Sequence, residues 1–287
     1  MPRLLLPILF TFALLARAED VPKLEKDVVY GTTGDVELKL DLARPSGDGP
    51  FPCLVFIHGG GWSFGTKTGY DGAIRDFAKH GYVAATLEYR FCPKYKFPAQ
   101  VEDCKCAVRY LRAHAKELHI NADKFGALGD SAGGHLALML GLMNKEDGCE
   151  GDGGCPEQSS KVQAVVNFYG PGDFDAATKF DDAVSEIAAK TLIHNFLGTT
   201  DPTNPIVKQA SPQTYIDKSD PPVLTFHGSK DPLVPLSVSK TLHEKLKKAG
   251  VEEKLEVLEG KGHGWGGEDK TRTMKEALEF FDAHLKK

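Results

Sequence analysis

Apolar and polar positions along this chain switch repeatedly between two periods. Asp27–Thr33 and Val36–Ala43 alternate about Gly34-Asp35, which predicts a β-hairpin with one exposed face, the antiparallel edge of a larger sheet. Cys53–Ile57 is apolar without interruption, the pattern of a strand buried on both faces. Helices and strands then follow in turn. The pattern predicts a helix over Gly72–His80, a strand over Tyr82–Tyr89, an amphipathic helix over Phe97–Ala115, a strand over Lys124–Leu128 and a helix over His135–Met143. It continues with strands Val162–Tyr169 and Val223–Phe226, helix Leu236–Ala249, strand Lys254–Leu258 and a terminal helix Lys270–Leu285. A repeated βα series implies an α/β fold, a mostly parallel central sheet with helices on both faces.

Residues 170–218 break the series. They are too long for a simple crossover and carry the breakers Asp201-Pro202 and Asn204-Pro205, so they are read as a small cap insertion over the site. No repeat or composition shift divides the remainder, and residues 19–287 are expected to form one domain. The first 18 residues stand apart. Arg3 is a short basic region, Leu4–Leu15 an apolar core and Ala16-Arg17-Ala18 an A-x-A cleavage site, which together describe a secretory signal peptide. Twelve apolar-rich residues with Pro7 among them are too few to span a bilayer, so a membrane anchor is the weaker reading. A secreted or periplasmic protein beginning near Glu19, with no membrane contact in its mature form, is expected.

Charge narrows the partners. The whole chain carries −5, and losing Arg3 and Arg17 leaves −7, a balance that disfavours nucleic acid and anionic membrane surfaces. Export also changes the meaning of the six cysteines, because oxidising compartments preserve disulfides. Cys149 and Cys155 bracket a glycine-rich loop whose closure would contribute about 2 kcal/mol, and they are the expected disulfide. Cys53 sits in an apolar strand and reads as a buried free thiol, while Cys104 and Cys106, two apart on a helix, point to different sides. Asp147, Glu150 and Asp152 do not match a calcium loop and read as a solvated acidic turn; no metal is expected.

The chemistry centres on Gly129-Asp130-Ser131-Ala132-Gly133-Gly134, between a predicted strand and a predicted helix. A G-x-S-x-G segment in that setting is a nucleophile elbow, with glycines where a Cβ would crowd the strand and helix. A serine hydroxyl needs a histidine to take its proton and a carboxylate to orient that histidine. In a parallel sheet such partners lie in loops just beyond the carboxyl ends of strands. Asp231, after Val223–Phe226, and His263, after Lys254–Leu258, satisfy this; Asp217 and Asp220 precede their strand and fall at its wrong end. His227 is the competing base, although its place at a strand end suits a structural hydrogen bond. His80, His114, His119, His243 and His284 read as solvated helix residues, and His135 as packed against the elbow. Donors for an oxyanion come from His58-Gly59-Gly60-Gly61-Trp62, straight off Cys53–Ile57. Gly60 and Gly61 N–H with that of Ala132 are the expected oxyanion hole, His58 braces the loop, and Trp62 is a candidate substrate contact. The glycines lack the spacing of a phosphate-binding loop.

On these motifs, with Tyr89-Arg90 and Phe97-Pro98-Ala99, the sequence resembles the α/β-hydrolase superfamily, and within it the esterases similar to hormone-sensitive lipase and to bacterial acetyl-xylan and feruloyl esterases. The resemblance covers essentially the mature chain. It departs at Phe91-Cys92-Pro93-Lys94, where many relatives resemble Leu-Ala-Pro-Glu. It implies a serine carboxylesterase needing no cofactor and acting on small esters or acylated oligosaccharides. An aryl-formamidase-like amide hydrolase and a non-catalytic hydrolase-fold binding protein are the alternatives.

Overall fold

The computed structural model describes residues 22–175, 180 and 182–287; the expected signal peptide, residues 1–18, lies outside them. The hairpin forms from β1 (Lys23–Thr33) and β2 (Val36–Arg44), and β2 then pairs antiparallel with β4 (Val83–Leu87). All other pairings are parallel, through β3 (Phe51–Ile57), β5 (Ile120–Asp130), β6 (Ala164–Phe168), β7 (Val223–Gly228) and β8 (Glu253–Leu258). The eight strands lie in the order β1-β2-β4-β3-β5-β6-β7-β8. The mostly parallel α/β sheet expected from the sequence is therefore the one observed.

Period-two alternation divides the buried strands between two cores. Leu54 and Phe56 of β3 face α1 (Asp71–Lys79) and α7 (Gly267–Leu285), which bury Ile74 and Phe77, and Ala277 and Phe281. Cys53, Val55 and Ile57 face the opposite layer of α2 (Ala99–Ala113), α3 (Ala132–Leu142) and α6 (Leu236–Ala249). Each such side chain removed from water contributes about 2 kcal/mol, and this is why β3 tolerates no polar position. Helix α3 starts three residues earlier than its apolar pattern suggests. Its first turn is Ala132-Gly133-Gly134, which carries no apolar periodicity, and those small residues are needed for close packing beneath the elbow. Between β6 and β7 lie α4 (Ala183–Leu197) and α5 (Pro205–Ala210), started by the side chains of Asp182 and Asn204 that accept from Ser185 and Ile206 N–H.

Three expectations need correction. Cys149 and Cys155 are separate thiols. The loop between them is organised instead by α2, whose buried Lys105 and Arg109 reach the Glu150 carboxylate at 2.9 and 2.8 Å, while Arg109 also donates to the carbonyls of Glu150 and Gly154. Glu150 is accordingly no part of a solvated acidic turn; against its burial, Lys105, Ser160 and Arg109 hold its carboxyl below the ordinary range. His243 is buried rather than solvated, 2.6 Å from Glu253 across α6 and β8. Cys53 is a fully buried free thiol, as its strand position implies.

Candidate active site

Strand β5 ends at Asp130 and α3 begins at Ala132, so Ser131 alone makes the turn, with φ +52° and ψ −119°. That conformation costs a non-glycine residue about 1–3 kcal/mol and is held from both sides. Ser131 N–H donates to Phe168 O at 2.8 Å, tying the turn to β6. A Cβ on Gly133 would stand 1.9 Å from Ile57 O, and one on Gly129 2.2 Å from Gly133 O, so the strand and helix meet backbone to backbone.

The structure brings Ser131, His263 and Asp231 together. Ser131 Oγ is 2.8 Å from His263 Nε2, and His263 Nδ1 is 2.8 Å from Asp231 Oδ2. Because the carboxylate only accepts, Nδ1 carries the proton and Nε2 faces the hydroxyl as acceptor. The side chain of Asp231 is fully buried. Burial alone would raise its pKa, but hydrogen bonds from His227 and His263, the His263 charge and the Val234 N–H outweigh it and hold the carboxyl far below the ordinary range. Its other oxygen accepts from Leu233 and Val234 N–H at 2.8 and 2.9 Å, which fixes the carboxylate plane. His227 is placed away from the serine. Its Nδ1 meets Ser239 Oγ at 2.7 Å and its Nε2 meets Val234 O at 2.9 Å, so it ties the β7 end to the loop that carries Asp231.

The loop after β3 is clamped to the elbow. Asp130 Oδ1 accepts from Gly59 N–H at 3.1 Å and from the Tyr70 hydroxyl at 2.7 Å. Tyr89 donates to His58 O at 2.9 Å and stacks on the His58 ring, and Cys92 N–H donates to Trp62 O at 2.9 Å. The departing segment Phe91–Lys94 thus supports this loop through its backbone. Gly60 and Gly61 have φ +115° and +55°, which glycine adopts without cost, and Ala132 N–H is among the first helical amides that have no partner within α3. Trp62 is only 4% exposed; it stacks on Phe196 at 4.3 Å and forms a wall, not an open platform.

One space adjoins the nucleophile and a second lies beside its elbow. A small pocket of about 40 Å³ is bounded by Ser131, His263, Gly61, Trp62, Leu192 and Ile193, the last two from α4. An open cleft of about 410 Å³ borders the elbow at Asp130 and the loop at Gly60, with Tyr70, Tyr169 and Trp265 among its walls. Sequence reasoning missed Asp130, Tyr70, Tyr169 and Leu192. Asp130 lies inside the elbow motif and is the one whose position signalled a role; the others come from segments without a motif. Among the described residues no group of His, Cys, Asp and Glu is placed to hold a metal.

The family model BD-FAE matches residues 40–246. Esterase LipC of Mycobacterium tuberculosis is 31% identical over 78% of this chain and 55% of its own length. An isoprenylcysteine alpha-carbonyl methylesterase described as probable, ICMEL1 of Arabidopsis thaliana, is 25% identical over 84% of this chain and 51% of its own. The chain thus spans about half the length of these curated relatives. Among solved structures, a truncated carbohydrate esterase from gut microbiota superposes with a TM-score of 0.83 at 28% identity, over 94% of this chain and 99% of that one. Propionate-bound Est2, an esterase of Thermogutta terrifontis, does so with a TM-score of 0.74 at 30% identity, over 90% and 93%. The fold is that of the α/β-hydrolase esterases resembling hormone-sensitive lipase.

Proposed function

The chain belongs to the BD-FAE family, and from that premise we propose that it is a serine carboxylesterase for short-chain acyl esters, acetyl above all. In this reading His263 Nε2 takes the Ser131 proton as Oγ attacks the ester carbonyl. The oxyanion forms against the N–H groups of Gly60, Gly61 and Ala132, each donor lowering the barrier by about 3 kcal/mol. Collapse passes the proton from His263 to the departing alcohol and leaves an acyl-enzyme. A water deprotonated by His263 then attacks, and the acid leaves. Asp231 keeps the imidazole in the required tautomer and stabilises the imidazolium.

The observation that carries the acyl assignment is the small pocket beside Ser131. At about 40 Å³ it has room for about three waters, which suits a short acyl group. In this reading the segment between β6 and β7 serves as the cap, with Ala189, Leu192 and Ile193 of α4 lining that space. Acetyl esters of plant polysaccharide are the natural candidates, supported by likeness to a carbohydrate esterase. A panel of acetyl, butyryl, octanoyl and feruloyl esters with an N-formyl arylamine tests the reading. The acetyl and butyryl esters should give the highest kcat/KM; preference for octanoyl esters or for the formyl amide would overturn the acyl assignment. Residues 1–18 support export, and the mature N-terminus recovered from a periplasmic or culture fraction should lie near Glu19. Recovery with Met1 intact would overturn it.

A further inference from the structure

Strand β6 ends at Phe168, and the next residue breaks its alternation. Ala164, Val166 and Phe168 face the layer of α1 and α7, so an extended Tyr169 would face the opposite layer. Instead its φ is +45°, a left-handed turn that bulky residues rarely adopt, and its ring packs on the same side as Phe168. The turn is fixed from outside. Tyr169 N–H donates to Phe226 O at 2.8 Å, and the fully buried Asn167 accepts from Gly170 N–H at 2.8 Å. A Cβ on Gly170 would stand 2.4 Å from His135 N, so the chain leaves the turn pressed against α3.

Strain of this kind persists where a side chain is held in one direction, and here it aims the ring at the base. The Tyr169 ring lies 4.7 Å from that of His263 and 5.2 Å from that of Trp265, centroid to centroid. The same residue borders the open cleft of about 410 Å³, which neither Ser131 nor His263 lines. Those two line the small pocket, which Tyr169 does not. The two spaces share no lining residue, and Tyr169 is the cleft side chain in ring contact with the base.

We propose that Tyr169 is a specificity-determining residue for the alcohol of the ester, its ring parting the open cleft from His263 and so denying that cleft to a bulky alcohol during the reaction. The inference rests on the esterase reading above. The alcohol oxygen must reach His263 Nε2 to receive its proton, so the group it carries lies against the surfaces around that imidazole. With the ring in place, the surface towards the cleft is taken. Without it, the cleft opens onto the imidazole and offers Trp265 and the exposed Phe64 as apolar walls.

The test uses acetates of primary alcohols with similar leaving groups, ethyl, phenylethyl and naphthylethyl, read as the naphthylethyl-to-ethyl ratio of kcat/KM within each protein. Such a ratio cancels any general loss of turnover from a less restrained His263. Tyr169→Ala should raise it by about tenfold or more, as several ring carbons leave water for the cleft. Tyr169→Phe should keep the wild-type ratio, since the ring and not the hydroxyl divides the two spaces. Tyr169→Gly takes φ +45° freely, should repeat the Ala result, and stands in should the Ala variant not fold. The butyryl-to-acetyl ratio of the ethyl esters should stay constant throughout. An alcohol ratio equal to wild type in the Ala and Gly variants, or a Phe variant that matches them, overturns the assignment. A butyryl-to-acetyl ratio that moves as far as the alcohol ratio also overturns it, because the ring would then border the acyl group. Failure of the wild-type protein on p-nitrophenyl acetate removes the esterase reading, and this inference with it.

Discussion

Trp62 donates its indole N–H to Nδ1 of His135 across 3.2 Å, and His135 Nε2 lies 2.8 Å from Ala210 O. The indole only donates and the carbonyl only accepts, so His135 is neutral with its proton on Nε2. One buried imidazole thereby joins the loop after β3, the elbow helix and α5.

Neutrality at that position makes stability depend on pH. Burial lowers the His135 pKa to about 4, against a smaller opposing effect of Ala210 O. Between the ordinary value of 6.5 and about 4 the unfolded chain binds a proton that the folded one refuses, so stability is complete above that window and falls as pH descends through it. At about 1.4 kcal/mol per pH unit the ceiling is about 3 kcal/mol. His58 and His243, both lowered chiefly by burial, act in the same direction. Denaturant melts between pH 7 and about 4 should show a shallower loss for His135→Gln than for wild type, and equal slopes would refute the assignment.

Ser131 separates chemistry from stability. Ser131→Ala should lower kcat by about 10⁴-fold or more while the fold remains. Ser131→Gly should abolish turnover equally yet raise stability by about 1 kcal/mol, since glycine adopts φ +52° freely. A Gly variant that melts below the Ala variant would show that the turn is unstrained.

Asp231→Asn should keep the two backbone hydrogen bonds at one oxygen and turn an N–H₂ towards His263. The imidazole must then take the opposite tautomer and present N–H to Ser131. A fall in kcat of about 10³- to 10⁴-fold is expected, as for the same replacement in an unrelated triad. Wild-type turnover would mean that another carboxylate orients the base.

Leu192 lines the small pocket beside Ser131 and lies over Gly61, where a Cβ would come within 2.7 Å of its Cδ2. Leu192→Ala should admit longer chains. With about 0.8 kcal/mol per buried methylene, the butyryl-to-acetyl ratio of kcat/KM should rise by about tenfold. A ratio that stays constant would place the acyl group elsewhere.

Much of this was legible in the chain because it is encoded locally. Continuous apolar runs at Cys53–Ile57 and Val223–Phe226 can be stable only as strands covered on both faces, and the small residues around Ser131 permit a backbone approach that larger ones forbid. Loop position after β7 and β8 was enough to select Asp231 and His263. Other features follow from contacts between segments far apart in sequence, which no local pattern records. Lys105 and Arg109 look like the polar face of an amphipathic helix, and only the Glu150 loop folding onto them makes their burial tolerable and fixes a loop that spacing alone would close with a disulfide. Tyr70 reaches Asp130 from 60 residues away. Leu192 meets Gly61 only because α4 crosses the carboxyl end of the sheet. The sequence by itself determined the order of the layers and the identity of the reactive groups, through periodicity and turn chemistry. Tertiary structure alone decided the size of the pocket beside Ser131, because a void is defined by the side chains that surround it and not by any one of them.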